Sequence, residues 1–240
     1  PMTTPADKGV RLNRFLASCG VASRRGCDEL ITQGRVEVNG EIIINLSTRV
    51  QPSDHVKFDG KPVREQSALT LVLNKPRKFI CTKDDPQGRE TIYALLPKKF
   101  SKLNYVGRLD YESAGLILLT SSGDLIERLA HPRYHVEKEY EVRLDRPFDP
   151  ELTHKLLEGI HLAEGLAKAE SVRFDSRRNL HIVLTQGYNR QIRRMFSKLG
   201  NKVERLERVR IGSLTMPALS TGEYQILNHR EIEIACTNPR

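Results

Sequence analysis

The chain has 240 residues, 38% of them hydrophobic and 29% charged, enough for one large domain or two of moderate size. No apolar run approaches the ~20 residues that span a membrane, and the N-terminus lacks the apolar core of a signal peptide, so a cytoplasmic protein without membrane contact is expected. The net charge of +9 admits polyanionic partners, but only clustered basic residues would make that reading specific.

Residues 1–8 read as a polar tail, with Pro1-Met2 resembling a residual tag junction. Leu12, Phe15, Leu16 and Cys19 then recur at helical spacing up to Gly20. Ser23 suits the N-cap of a second helix carrying Cys27, Leu30 and Ile31 and ending at Gly34. Val36 and Val38, the turn pair Asn39-Gly40 and the run Ile42-Ile43-Ile44 give a hairpin signal, and Val56 and Phe58 lead into a second turn at Asp59-Gly60. Residues 9–62 therefore form a small unit of two helices followed by strands. Arg11, Arg14, Arg24, Arg25 and Arg35 lie on or beside its helices, and Arg24 and Arg25 occupy a first helical turn, where positive charge opposes the helix dipole. That placement suits a grip on phosphate, against the plainer reading of a solvated helix face. The cysteines Cys19, Cys27, Cys81 and Cys236 form no Cys-x-x-Cys pair and the seven histidines show no ligand spacing, so reduced thiols and no metal site are expected.

Arg11-Leu12-x-x-Phe-Leu, Gly20-Val-Ala-Ser-Arg-Arg and Leu30-Ile31-x-x-Gly34-Arg35-Val36-x-Val38-Asn39-Gly40 together resemble the S4-type RNA-binding domain. The resemblance implies that the two helices and the following turn present arginines to structured RNA. It gives an address and not a reaction.

A polar connector spans 63–68. A second unit at 69–240 opens on a strand from Leu69, followed by Asn74-Lys75-Pro76 and the turn-rich Asp-Asp-Pro-Gln-Gly-Arg around Asp85. Thr91 is placed to cap a short helix to Leu96. Leu116 to Leu119 reads as a strand buried on both faces, and the loop before it, bracketed by Gly107 and Gly115, carries Arg108 and Asp110. Asp110 is there either a turn residue or a carboxylate delivered to a site. Further on come a helix from about Leu125 to Ala130, a strand from Glu139 to Leu144, a helix from Glu151 to Gly159, strands at Ser171–Phe174 and Leu180–Leu184, and a helix opening at Asn189. Strands with interposed helices and no regular βαβ rhythm predict an α+β fold on a mixed or antiparallel sheet.

In the last of these helices Ile192, Met195, Phe196 and Leu199 form one apolar stripe, with Arg193 on its flank and Arg190 and Arg194 pointing away. A half-buried Arg193 calls for a carboxylate partner, and Asp110 is an obvious complement that geometry alone does not select. Between Tyr188 and Arg210 there are eight basic and two acidic residues, including Lys198, Lys202, Arg205, Arg208 and Arg210, read here as an outward, clustered footprint for nucleic acid.

Taken in order, Asn74-Lys75-Pro76, Gly107-Arg108-Leu109-Asp110-x-x-Ser-x-Gly115-Leu-x-Leu-Leu-Thr120, Glu137-Lys138-x-Tyr140, Gly187-x-Asn189-Arg190-Gln191-Ile192-Arg193-Arg194-Met195 and Leu206-x-Arg208-x-Arg210-Ile-Gly212 resemble the RsuA-type family of bacterial ribosomal pseudouridine synthases. The resemblance implies a cofactor-free enzyme that detaches uracil from its ribose and rejoins it through carbon, acting as a monomer on ribosomal RNA or a pre-ribosomal particle. Asp110 matches the catalytic aspartate, Arg193 the group that keeps it ionised and oriented, Tyr140 the tyrosine that stacks on the target base, and Arg108 the arginine that fills the space the nucleotide leaves. Lys75, Lys138, Arg190, Arg194 and Arg208 are carried over as substrate contacts, Lys75 and Lys138 with a structural role as the stronger reading. The stretch around Asp85 favours the large-subunit members. Two other readings stand beside this one. A methyltransferase fused to an S4-type domain lacks the expected glycine-rich strand-to-helix turn. A ribosome-assembly module would have no need of Asp110.

Overall fold

The computed structural model describes residues 9–65 and 67–239, so the N-terminal tail lies outside the described residues. The chain divides into two units at Ala68/Leu69, taken separately below.

In the first unit β1 (Val10–Arg11) runs into α1 (Leu12–Ser18), then come α2 (Arg24–Thr32), β2 (Val36–Val38), β3 (Glu41–Ile42), β4 (Arg49–Val50), β5 (Val56–Phe58) and β6 (Lys61–Pro62). Ser23 caps α2 as its position predicts, its hydroxyl accepting from the Gly26 amide at 3.1 Å. β1 pairs with β4, and β3-β2-β5-β6 form an antiparallel sheet. Leu12 and Leu16 of α1, Cys27 and Ile31 of α2, and Val36, Val38, Val50 and Val56 make one core. The Ile42-Ile43-Ile44 run contributes only Ile42 to a strand. Ile43 packs on the core while Ile42 and Ile44 are exposed, as alternation on a short hairpin arm dictates.

The second unit contains β7 (Thr70–Lys75), β8 (Asn104–Val106), β9 (Ala114–Thr120), α3 (Gly123–Ala130), β10 (Lys138–Leu144), α4 (Thr153–Glu158), β11 (Ile160–Leu162), β12 (Gly165–Ala167), β13 (Ser171–Phe174), β14 (Asn179–Leu184), α5 (Gln191–Lys198), β15 (Val203–Ile211), β16 (Leu214–Thr215), β17 (Tyr224–Ile226) and α6 (His229–Ala235). Its sheet runs β13-β14-β10-β15-β9-β7-β17, with β16 added to β15 and β8 to β9. Every pairing is antiparallel except β15 with β9, so this α+β fold has a mixed sheet with its one parallel seam near the centre. β9 is buried on both faces: Leu116 and Leu118 pack towards α3 and α6, while Ile117 and Leu119 join Leu71, Leu73, Ile92 and Phe100 on the other side. A third cluster seats α5 through Ile192, Met195 and Phe196 against Val142, Leu180, Ile182 and Leu206.

Three local expectations are corrected. Ile92–Leu95 is a 3-10 turn whose amides find no acceptor in the Thr91 side chain, and the segment after Asp149 begins as a 3-10 turn before α4 starts at Thr153. The α5 N-terminus is held not by an Asn189 cap but by Arg190 in a left-handed conformation (φ 48°), with Gln191 reaching back to accept the Tyr188 amide at 3.1 Å.

Candidate active site

The site is assembled at the β9–β15 seam. Only two residue pairs make that seam, Glu207 with Ala114 and Arg208 with Gly115. Gly115 has φ +104°, and a Cβ there would stand 2.3 Å from the Arg208 carbonyl oxygen, so glycine is what lets the backbones close. The Arg208 Nε then donates to the Leu116 carbonyl at 2.7 Å.

The loop leading into β9 is held from beneath. The Ser113 amide donates to the Asp110 carbonyl at 3.0 Å, closing a turn with Asp110 at its first position. Leu109 is anchored by reciprocal contacts with the Cys81 thiol, at 3.4 and 3.5 Å. Lys75, with 0% exposure, donates from Nζ to the carbonyls of Pro76 (3.0 Å), Asp110 (3.1 Å) and Ser113 (2.6 Å). Burial pushes its ammonium down to about 8. Lys75 is therefore a bracket for the Asp110 loop and not a substrate contact. Its parity with Leu71 and Leu73 on a buried strand was the signal.

Arg193 approaches the same loop from α5. Its Nη1 donates to the Val203 carbonyl (3.0 Å), and its Nη2 to the Glu112 carbonyl (3.1 Å) and the Ser113 hydroxyl (3.3 Å). The expected direct pairing with Asp110 is absent: carbonyls at the start of β15 and in the loop, with the Ser113 hydroxyl, take Nη1 and Nη2 instead, and Nε is buried without a hydrogen-bond partner among the described residues. Asp110 is still near enough for its charge to favour charged Arg193, against a lowering that comes mainly from burial and then from Arg190. The Asp110 carboxylate itself has no hydrogen bond or ion pair among the described residues. The loop is braced outside by an Arg77–Glu112 ion pair at 2.6 Å, and this partner holds the Glu112 carboxyl below its usual range.

Asp110 opens on a cleft of about 1320 Å³ that Arg108, Lys138, Tyr140, Arg190 and Arg208 also line. Tyr140 and Arg208 are direct partners across β10 and β15 and so share one sheet face. Lys138 donates to the Val136 carbonyl at 2.9 Å, and burial followed by the nearby Arg208 pushes its ammonium down to about 8. Arg108 and Arg190 are exposed at the cleft. Arg194 is not part of the lining. Its guanidinium is bound by both oxygens of Glu164 at 2.8 and 2.7 Å. The outward reading of Arg208 and Arg210 is corrected too: both are buried, Arg208 against β9 and Arg210 against Glu139 (2.7 Å) and Glu137 (3.2 Å). They share period-two parity with the buried Leu206, which was the available signal. Cys81, Ser113 and Gln191, which hold the site's loops, carried no such signal; each contributes a backbone contact visible only once the loops are placed. Asp85 lies at the cleft, clamped by Arg89 through Nε and Nη2 at 2.9 Å.

In the first unit Arg11, Arg14, Arg24, Arg25 and Arg35 are all exposed. Arg35 is held by Asp59 (2.9 Å) over the Phe58 ring.

The geometry offers an uncommitted carboxylate and an aromatic ring lining one cleft rich in basic side chains. Residues 69–198 match the RNA pseudouridylate synthase family, and residues 10–56 match the S4 domain. The chain is 35% identical over 229 residues to ribosomal large subunit pseudouridine synthase B of Bacillus subtilis, covering 93% of this chain and 94% of the relative. It is 34% identical over 227 residues to ribosomal small subunit pseudouridine synthase A of Escherichia coli, covering 93% and 98%. A crystal structure of pseudouridylate synthase superposes with a TM-score of 0.70 at 32% identity, covering 95% of this chain and all of that one. The substrate is thus RNA, and the chain belongs to the RNA pseudouridylate synthase family, with an S4 domain ahead of its synthase domain.

Proposed function

We propose that this chain converts uridine to pseudouridine in ribosomal RNA, in the large subunit by preference, with Asp110 as the catalytic carboxylate. The observation that carries the reading is the Asp110 carboxylate, held by its backbone through Lys75 and Ser113 but left without a side-chain partner, in one cleft with Tyr140. A carboxylate in that state can attack the sugar or take a proton from it. Tyr140 stacks on the uracil ring, Arg108 takes the place of the extruded nucleotide, and unstacking costs a few kcal/mol. Arg193 acts as a positioning residue: it ties α5 and β15 to the last two residues of the Asp110 turn. Residues 9–62 bind RNA through the exposed arginines of α1 and α2, and residues 69–240 carry the chemistry. The names of the relatives support ribosomal RNA, and the stretch around Asp85 supports the large subunit. All four cysteines are free thiols, which supports a reducing, cytoplasmic setting.

The test is to incubate the protein with unmodified large- and small-subunit ribosomal RNA and map pseudouridine. Conversion at a defined uridine of the large-subunit RNA is expected. Conversion confined to small-subunit RNA would overturn the subunit assignment, and conversion of neither RNA, naked or in pre-ribosomal particles, would overturn the activity.

A further inference from the structure

Arg208 is the most deeply buried arginine facing the cleft, at 3% exposure, and its hydrogen bonding is incomplete. Nε is spent on the Leu116 carbonyl, but Nη2 is buried with no partner among the described residues. A buried unpartnered donor costs about 1–3 kcal/mol, more when charged. Towards Lys138 the charge is one-sided: Arg208 lies close enough to disfavour the ammonium's charge, and no acid counters it there. Lys75 also feels Arg208, but there Asp110 and Glu112 offset it. Such a cluster is complementary to an anion.

The sheet register says where that anion would form. Tyr140 is directly opposite Arg208, so their Cβ atoms are about 5 Å apart on one face. On the other flank Arg208 faces Gly115, which has no side chain to stand between it and the loop of Asp110. A flat ring stacked on Tyr140 therefore has its edge within reach of the Arg208 guanidinium. This argument rests on the function proposed above.

We propose that Arg208, supported by Lys138, binds the oxygen atoms of the target uracil and stabilises the negative charge the ring acquires when it leaves the sugar. However Asp110 opens the reaction, the electron pair of the C1′–N1 bond departs with the base, giving a uracil anion with its charge spread over N1, O2 and O4. Rejoining forms the C1′–C5 bond. C5 then loses its proton and N1 gains one, so no oxidant, reductant or co-reactant is needed. A fixed donor aimed at developing charge in a water-poor site is an oxyanion-hole device.

The test uses the full chain, with Arg208→Gln and Arg208→Lys, in single-turnover consumption of RNA carrying uridine or 5-fluorouridine at the target. Fluorine stabilises the ring anion by itself. Arg208→Gln should consume the uridine RNA roughly 10²-fold more slowly, the scale set by loss of one oxyanion donor. It should lose several-fold less on the 5-fluorouridine RNA, and Arg208→Lys, which keeps a cation at the site, should recover part of the loss. Equal losses on both RNAs would reduce Arg208 to a support for the fold or for Asp110 and overturn the proposal, as would an unchanged rate. If Arg208→Gln does not fold, Arg208→Lys carries the same comparison, with a smaller loss on the fluorinated RNA expected. A wild-type protein that consumes neither RNA would instead refute the proposed function.

Discussion

Replacing Gly115 by alanine probes the seam on which the site is built. The new Cβ would stand 2.3 Å from the Arg208 carbonyl oxygen and 2.7 Å from its amide nitrogen, both backbone atoms that no rotamer change can move. The seam has only two residue pairs, so the clash cannot be spread along a longer ladder. Alanine at φ +104° adds backbone strain of about 1–2 kcal/mol. Overpacking costs about 1–3 kcal/mol, and the lower chain entropy of unfolded alanine returns less than about 1 kcal/mol. The net is a loss of about 3 kcal/mol, or roughly 6–12 °C in Tm for a unit of this size. Thermal unfolding followed by circular dichroism reads the loss, and hydrogen exchange at β9 localises it. Because the same contact aligns Arg208 with the Asp110 loop, single-turnover conversion should fall with it. A Tm within about 1 °C of wild type, with normal exchange at β9, would refute the reasoning.

Lys75 gives a pH prediction. Burial brings its ammonium from 10.5 to about 8, so below pH 8 the folded protein bears the cost of a buried charge, and that cost fades as pH rises towards 10.5. The stability of Lys75→Met relative to wild type should therefore fall by about 3 kcal/mol between pH 7 and pH 10.5. Urea unfolding of both proteins across that range checks it, and a difference independent of pH would contradict the account of Lys75. For Arg193→Lys, one ammonium cannot reach the Val203 carbonyl and the Ser113 hydroxyl together. Turnover should drop roughly 10²-fold, the scale of a small misplacement of catalytic groups, while stability falls by about 1–2 kcal/mol. An unchanged single-turnover rate would remove Arg193 from any positioning role.

Much of this was legible in the chain because single elements carry their own patterns. The apolar run at Leu116 to Leu119 announced a strand buried on both faces, and the glycines on either side of Asp110 announced the loop that leads into it. Ser23 announced its cap. What stayed hidden depends on contacts between distant segments. Nothing local to β9 states that it pairs in parallel with β15, because that pairing is chosen by the Gly115 approach to Arg208. Arg208 and Arg210 read as outward charges because what they meet lies elsewhere in the fold: a carbonyl of β9 for Arg208, and Glu139 of β10 with Glu137 just before it for Arg210. Arg193 shows the same limit. Its half-burial and need for partners follow from helical spacing, but the partners are backbone carbonyls and a serine hydroxyl, not the carboxylate that charge pairing suggested.

The proposed function stands or falls with the Asp110 carboxylate. Asp110→Asn removes its charge and, since the carboxylate has no hydrogen bond or ion pair among the described residues, should change stability by less than about 1 kcal/mol. The decisive measurement is pseudouridine mapping on ribosomal RNA treated with wild type and with folded Asp110→Asn side by side. Conversion by wild type and none by the variant, with RNA affinity kept, is expected. Wild-type conversion by the folded variant would contradict it.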